Sequence, residues 1–161
     1  MEKKDLDWGN IGFSYMPTDK RYVANYKDGA WDEGGMTSDP NVVINECAGI
    51  LQYCQEIFEG LKAYTTEDGS IVTFRPDLNA ERMTDSARRL EMPPFPKERF
   101  LEAVDQVVKA NAAWVPPFGS GATLYLRPYM FATGPVIGVK PSQEYQFRLF
   151  GTPVGPYFKG G

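Results

Sequence analysis

The sequence predicts an α+β fold, a mostly antiparallel β-sheet with two to three helices packed on it, and three observations carry that prediction. Two Asp-Gly pairs stand between apolar-containing arms, two later stretches alternate at period two, and two segments between them repeat apolar residues at helical spacing. No internal repeat or low-complexity tract interrupts the pattern.

The first hairpin is RYVANYKDGAWDEG, residues 21–34, with Asp28 and Gly29 at the turn. EIFEGLKAYTTEDGSIVTFRP, residues 56–76, repeats the logic with Asp68 and Gly69. A short helix is expected around Asn45–Gln52. Asp77 is placed to cap a helix through LNAERMTDSARRL, whose Ala80, Met83, Ala87 and Leu90 form one apolar stripe beside Arg82, Ser86 and Arg89. After the break MPPFP, KERFLEAVDQVVKAN puts Phe100, Val104, Val107 and Val108 on one face, with Pro96 near the first turn. ATLYLRPYMFAT (122–133) and EYQFRLFGTPV (144–154) read as two strands joined by GPVIGVKPSQ, so the sheet is antiparallel.

Composition narrows the chemistry. The 161 residues are 42% hydrophobic, enough for one globular domain with a core. With 17 basic against 21 acidic residues there is no basic stripe, so no nucleic acid partner is expected. No apolar run is long enough for a membrane span and MEKKDLDWGN lacks the apolar middle of a signal peptide, so a cytosolic protein with no membrane partner is expected. Cys47 and Cys54 match no zinc or redox spacing and read as plain buried thiols. The chain has no histidine, which excludes Ser-His and Cys-His nucleophile systems and His-containing zinc sites. Its chemistry must use lysine, tyrosine, arginine, carboxylates or a cofactor.

Strand alternation points to one candidate surface. In ATLYLRPY it sends Thr123, Tyr125, Arg127 and Tyr129 to one face and Leu124, Leu126 and Met130 to the other. A phenol beside a guanidinium suits a carboxylate ligand, although a plain solvated strand face would look the same.

YQFRLFGTPVGPYFKGG, TLYLRPYMFATG, QEIFEGLKAY and FRPDLNAERMTDSARRL together resemble the branched-chain amino acid aminotransferases, pyridoxal-phosphate enzymes of fold type IV. The resemblance runs from about Trp8 to Gly161. It implies that residues 1–161 are the N-terminal small domain, that a second domain carrying the cofactor lysine lies beyond this chain, and that the apolar, glycine-ended FGTPVGPYFKGG leads into the connection.

The residues it implies are as follows. Arg82, in NAERM, would hold the phosphate of pyridoxal 5'-phosphate and be partly buried. Tyr53 and Phe58, in QYCQEIFEG, would line the substrate pocket, Tyr53 in a neighbouring subunit's site. Tyr125 and Arg127 would face the substrate, with the arginine on the distal carboxylate of glutamate. Tyr157, in PVGPYF, would be another pocket tyrosine, and Ile137 and Val139 would form the loop that reaches a partner subunit's pocket. GFSYMPTD would supply a pocket aromatic, Phe13 or Tyr15.

No catalytic residue is assigned within this chain, because the Schiff-base lysine is missing from it. Lys62 and Lys159 are the local substitutes, and Lys62 reads better as a strand lysine at a solvated edge. The implied substrates are leucine, isoleucine and valine with their 2-oxo acids, exchanged against glutamate and 2-oxoglutarate, in a homodimer. The alternatives are a non-catalytic, self-associating module that kept the fold, or another type IV enzyme such as a D-amino acid aminotransferase or a lyase.

Overall fold

The computed structural model describes residues 2–156. Within them, strands β1 (Arg21–Lys27), β2 (Ala30–Trp31), β3 (Gly35–Thr37), β4 (Glu56–Phe58), β5 (Leu61–Thr65), β6 (Ile71–Thr73), β7 (Thr123–Ala132) and β8 (Tyr145–Val154) form one antiparallel sheet. Its order is β2-β1-β8-β7-β5-β6, with β3 also pairing β1 and β4 also pairing β7. Helices α1 (Gly49–Tyr53), α2 (Pro76–Arg89) and α3 (Lys97–Ala110) complete the α+β domain.

Both predicted turns form. Asp28 and Gly29 take φ of 53° and 81°, the left-handed pair that a two-residue hairpin turn requires. The other turn is a five-residue loop closed by Thr66 N–H, which donates to Ser70 O at 2.8 Å. The first helix is shorter than expected and starts at Gly49, because residues 45–48 form a turn.

Capping of α2 differs from the expectation. Arg75, at φ 45°, holds the N-cap position without a side-chain cap, and Asp77 sits in the first turn. Its carboxylate instead accepts from Arg75 Nε at 2.9 Å and Nη2 at 2.7 Å. The arginine fork outcompetes the backbone donors that an N-cap carboxylate would take.

The core lies between one sheet face and α2 and α3. Leu124, Leu126 and Met130 of β7 meet Tyr22 and Ala24 of β1, Phe147 and Leu149 of β8, Ala80, Met83 and Ala87 of α2, and Phe100, Val104 and Val107 of α3. Val108 packs at the margin of this cluster. Phe95, from the connector between the helices, stacks on Phe147 with ring centroids 3.9 Å apart. Asn111 ties the end of α3 to the start of β1, donating to Val107 O and Lys20 O at 2.8 Å and accepting from Lys20 N–H at 3.0 Å.

The cysteines depart from the expectation of buried thiols. Cys54 is exposed and Cys47 half-buried, both free, since Cys54 closes α1 in a left-handed conformation at the surface.

One irregularity positions the site. β4 and β5 run in a single register against β7, Phe58 opposite Tyr129 and Leu61 opposite Leu126. Between them Glu59 N–H donates to Pro128 O at 2.8 Å, but proline has no N–H to return the bond. The ladder therefore opens at Glu59 and Gly60, in the middle of the sheet.

Candidate functional site

The face of the sheet away from the helices carries the candidate site. Its alternation follows the sequence: Leu124, Leu126 and Met130 are buried in the core, and Tyr125, Arg127 and Tyr129 are half-buried on the other side. Arg127 Nε donates to Tyr125 Oη at 3.0 Å. Its guanidinium lies 4.4 Å from the Phe58 ring centroid and 5.3 Å from that of Tyr125, both cation–π distances. Phe13 reaches the same place, 6.3 Å from the Tyr125 ring. Tyr15 instead packs edge-on against Phe150 at 5.8 Å, which places it farther along the face.

Gly60 makes room for this cluster. A Cβ on Gly60 would stand 2.6 Å from Tyr125 Oη, so the open ladder lets the phenol press against the backbone. Both Nη groups of Arg127 make no hydrogen bond among the described residues, so a planar pair of donors faces outward between two aromatic walls. Such an arrangement can take a carboxylate on the fork and apolar groups on Phe58 and Phe13.

Arg82 belongs to the helix side. Its side chain is 68% exposed, where partial burial was expected. Nε donates to Glu59 Oε1 at 2.7 Å and Nη2 to Glu59 Oε2 at 2.6 Å, and Glu59 is only 3% exposed. Asn79 Nδ2 adds a third donor to the same carboxylate at 2.9 Å. The Glu59 carboxylate raises the pKa of the guanidinium, keeping it charged. Nη1 makes no bond among the described residues, so one edge of the fork remains open to an anion.

Tyr53, Ile137 and Val139 form a separate group. The Tyr53 hydroxyl donates to Ile137 O, and Tyr53 and Val139 line one cavity of about 360 Å³ with Leu90 and Pro141. Ile137 and Val139 are 76% and 89% exposed, an apolar edge projecting from the β7–β8 connection. No hydrogen bond, ion pair or ring contact joins this group to Arg127 among the described residues.

Lys62 stands opposite Tyr125 in register, half-buried on the same face as the cluster, and just outside the β5–β6 pairing, which begins at Ala63, so it has a strand partner on one side only. Tyr157 and Lys159 lie outside the described residues. Among those residues no group of three or more His, Cys, Asp or Glu side chains could hold a metal, and no helix is long and apolar enough to cross a membrane.

Glu59 and Gly60 were not singled out by the sequence reading. Period-two alternation did carry a signal, because it puts Glu59 among Ile57, Leu61 and Ala63 on the core face, where an acid needs a partner.

No family model matches the chain. Over 158 residues, 98% of this chain, it is 56% identical to the branched-chain-amino-acid aminotransferase of Haemophilus influenzae and 48% identical to that of Helicobacter pylori, covering 46% of each. It is 46% identical over 158 residues to the chloroplastic branched-chain-amino-acid aminotransferase 2 of Arabidopsis thaliana, covering 40% of it. The chain thus spans under half the length of these relatives. Among solved structures it is similar to the branched-chain aminotransferase of Thermoproteus uzoniensis with norvaline, at a TM-score of 0.70 and 22% identity over 88% of this chain and 43% of that one. The Escherichia coli branched-chain amino acid aminotransferase gives 0.67 at 22% identity, over 89% and 42%. These two likenesses establish the fold.

Proposed function

We propose that this chain is part of a branched-chain aminotransferase, exchanging amino groups between leucine, isoleucine or valine and 2-oxoglutarate. The observation that carries the reading is Arg127, fixed by Tyr125 and Phe58 with two donors free, in a chain 56% identical to one such enzyme along nearly all its length.

The chemistry of one face accounts for two unlike substrates. The Arg127 fork would bind the distal carboxylate of glutamate or 2-oxoglutarate, and Tyr125 would hold the guanidinium in line for it. Phe58 and Phe13 would accept a branched aliphatic side chain, which makes no demand on the fork. Tyr157 joins this pocket by resemblance.

Pyridoxal 5'-phosphate, when bound, supplies the electron sink for amino-group transfer. The residues present fit its phosphate: Arg82 is firmly charged, anchored by Glu59, and has Nη1 free. Arg82 would hold the phosphate, and the lysine that the reaction needs would come from the rest of the protein. Tyr53, Ile137 and Val139 would cover the pocket of a second subunit in a cytosolic homodimer, which supports a use for an otherwise costly apolar edge.

The test is amino transfer by the full-length protein, supplied with pyridoxal phosphate. Leucine, isoleucine and valine should each donate to 2-oxoglutarate with similar efficiency. Activity confined to D-amino acids, or none with any donor, would overturn the reading. The intact mass of the native gene product should correspond to a chain more than twice this length. A native product of 161 residues would instead favour the non-catalytic module.

A further inference from the structure

Beside the Arg127 cluster, on the same sheet face, lies a cavity of about 380 Å³ lined by Tyr15, Arg21, Asn41, Tyr129, Arg148 and Phe150 among others. It shares no residue with the Arg127 cluster. Its arginines are unusual: Arg21 is 3% exposed and Arg148 is 6% exposed, and neither forms an ion pair among the described residues.

We propose that this cavity is a binding site for a small oxyanion, a carboxylate or phosphate group held between Arg21 and Arg148.

Every partner these guanidiniums have is neutral. Arg21 donates from Nη1 to Ser38 O and from Nη2 to Thr18 O at 3.0 Å. Arg148 donates from Nη1 to Gln146 Oε1 and from Nη2 to Asp39 O, both at 3.1 Å. Because the two arginines bond the successive carbonyls of Ser38 and Asp39, their like charges are held close together. Carbonyl oxygens satisfy N–H geometry but supply no net charge, and a buried unpaired charge is costly. The acid within electrostatic reach of both arginines, Asp39, is exposed and turned to Asn41, accepting from its backbone N–H at 2.9 Å and Nδ2 at 2.8 Å, and Glu56, in reach of Tyr129, is exposed as well.

The remaining lining completes an anion site. The Tyr15 and Tyr129 hydroxyls make no hydrogen bond among the described residues, so each can donate to a ligand in the cavity they line. Phe150, Pro17 and Pro40 supply apolar walls that strengthen the attraction by excluding water. The chain carries net charge −4, yet this face gathers Arg21, Lys62, Arg127 and Arg148 against the exposed Glu56. A local excess of this kind is what an anionic ligand requires.

The experiment is thermal unfolding of the full-length protein saturated with pyridoxal phosphate, which fills the phosphate place proposed at Arg82, in chloride, compared with acetate and with inorganic phosphate at matched ionic strength. The wild type should gain about 2 °C or more, saturably, in acetate, phosphate or both, and the larger response identifies carboxylate or phosphate as the ligand class. Arg148→Met should melt above the wild type in chloride, because one of two crowded charges is gone, and should lose most of the anion response, keeping only what Arg127 binds. Arg127→Met should keep most of the wild-type response, losing only the carboxylate bound at the proposed substrate fork, which separates the two places. Should Arg148→Met fail to fold, Tyr129→Phe reads the same cavity and should raise the half-saturating anion concentration several-fold. No anion-dependent gain in the wild type, or an equal gain in Arg148→Met or Tyr129→Phe, would overturn the proposal.

Discussion

Arg82 holds Glu59 along one edge of its guanidinium, Nε to Oε1 at 2.7 Å and Nη2 to Oε2 at 2.6 Å. Glu59 stands between Phe58, which packs under Arg127, and Gly60, against which the Tyr125 phenol rests. The pair therefore clamps helix α2 to the point where the ladder opens, joining the proposed phosphate arginine to the proposed substrate face through three consecutive residues.

Removing the arginine should have two separable effects. Arg82→Ala leaves a buried carboxylate with Asn79 alone and should destabilise the cofactor-free protein by about 1–3 kcal/mol in urea unfolding. It should also raise the pyridoxal phosphate concentration needed for activity. Arg82→Lys, which keeps the charge but not the fork, should fall between. Unchanged cofactor affinity in Arg82→Ala would remove the phosphate role while leaving the clamp.

Gly60→Ala tests the close approach. The new methyl would meet Tyr125 Oη at 2.6 Å, so the phenol must move and its bond to Arg127 must lengthen. If the full-length protein has the proposed activity, its KM for glutamate should rise about tenfold, the loss of roughly one hydrogen bond to a charged group, with leucine less affected. Equal kinetics for both substrates would show that Tyr125 does not hold Arg127 in place.

Phe147→Ala should open the core. The ring is fully buried, stacked on Phe95 and edge-on to Tyr22, so truncation should cost about 3–5 kcal/mol in denaturant unfolding. A loss under about 1 kcal/mol would mean that the connector carrying Phe95 does not pack as described.

Acid should unlock the start of α2. The Arg75 guanidinium holds the Asp77 carboxyl down to about 2, below its ordinary 3.8. A lowered folded-state pKa contributes stability that is complete above the unfolded value and is lost as pH falls from about 4 towards 2. Thermal melts across that window should show a shallower decline for Asp77→Asn than for the wild type, and added salt should shrink the difference because the pair is exposed. Parallel declines at low salt would show that the pair does not form in solution.

Local signals in the chain account for much of the fold. The Asp28 and Gly29 turn, the alternation of β7 and the apolar stripes of α2 and α3 depend on neighbours a few residues away and appear in the structure, except that Leu90 of the α2 stripe falls past the helix end and is exposed. Long-range effects were harder to read. Asp77 looked like a cap until Arg75 competed for it, and 56–76 looked like a simple hairpin because the lost N–H that opens its ladder belongs to Pro128 on another strand. The face shared by Tyr125 and Arg127 followed from period two, but the cation–π contact with Phe58 needed the register of β4. Arg21 and Arg148 gave no local signal, since each sits on its strand's non-core face and residues 38–41, with Tyr15, Pro17 and Thr18, cover them.

The central claim is that Arg127 lets one pocket distinguish acidic from branched substrates. Its most direct test is kcat/KM of the full-length Arg127→Ala variant for glutamate and for leucine, measured side by side. The account predicts a loss of about a hundredfold for glutamate, from removal of a charge-assisted pair, with leucine within about threefold of wild type. An equal loss for both substrates would contradict it and reduce Arg127 to a support for the sheet face.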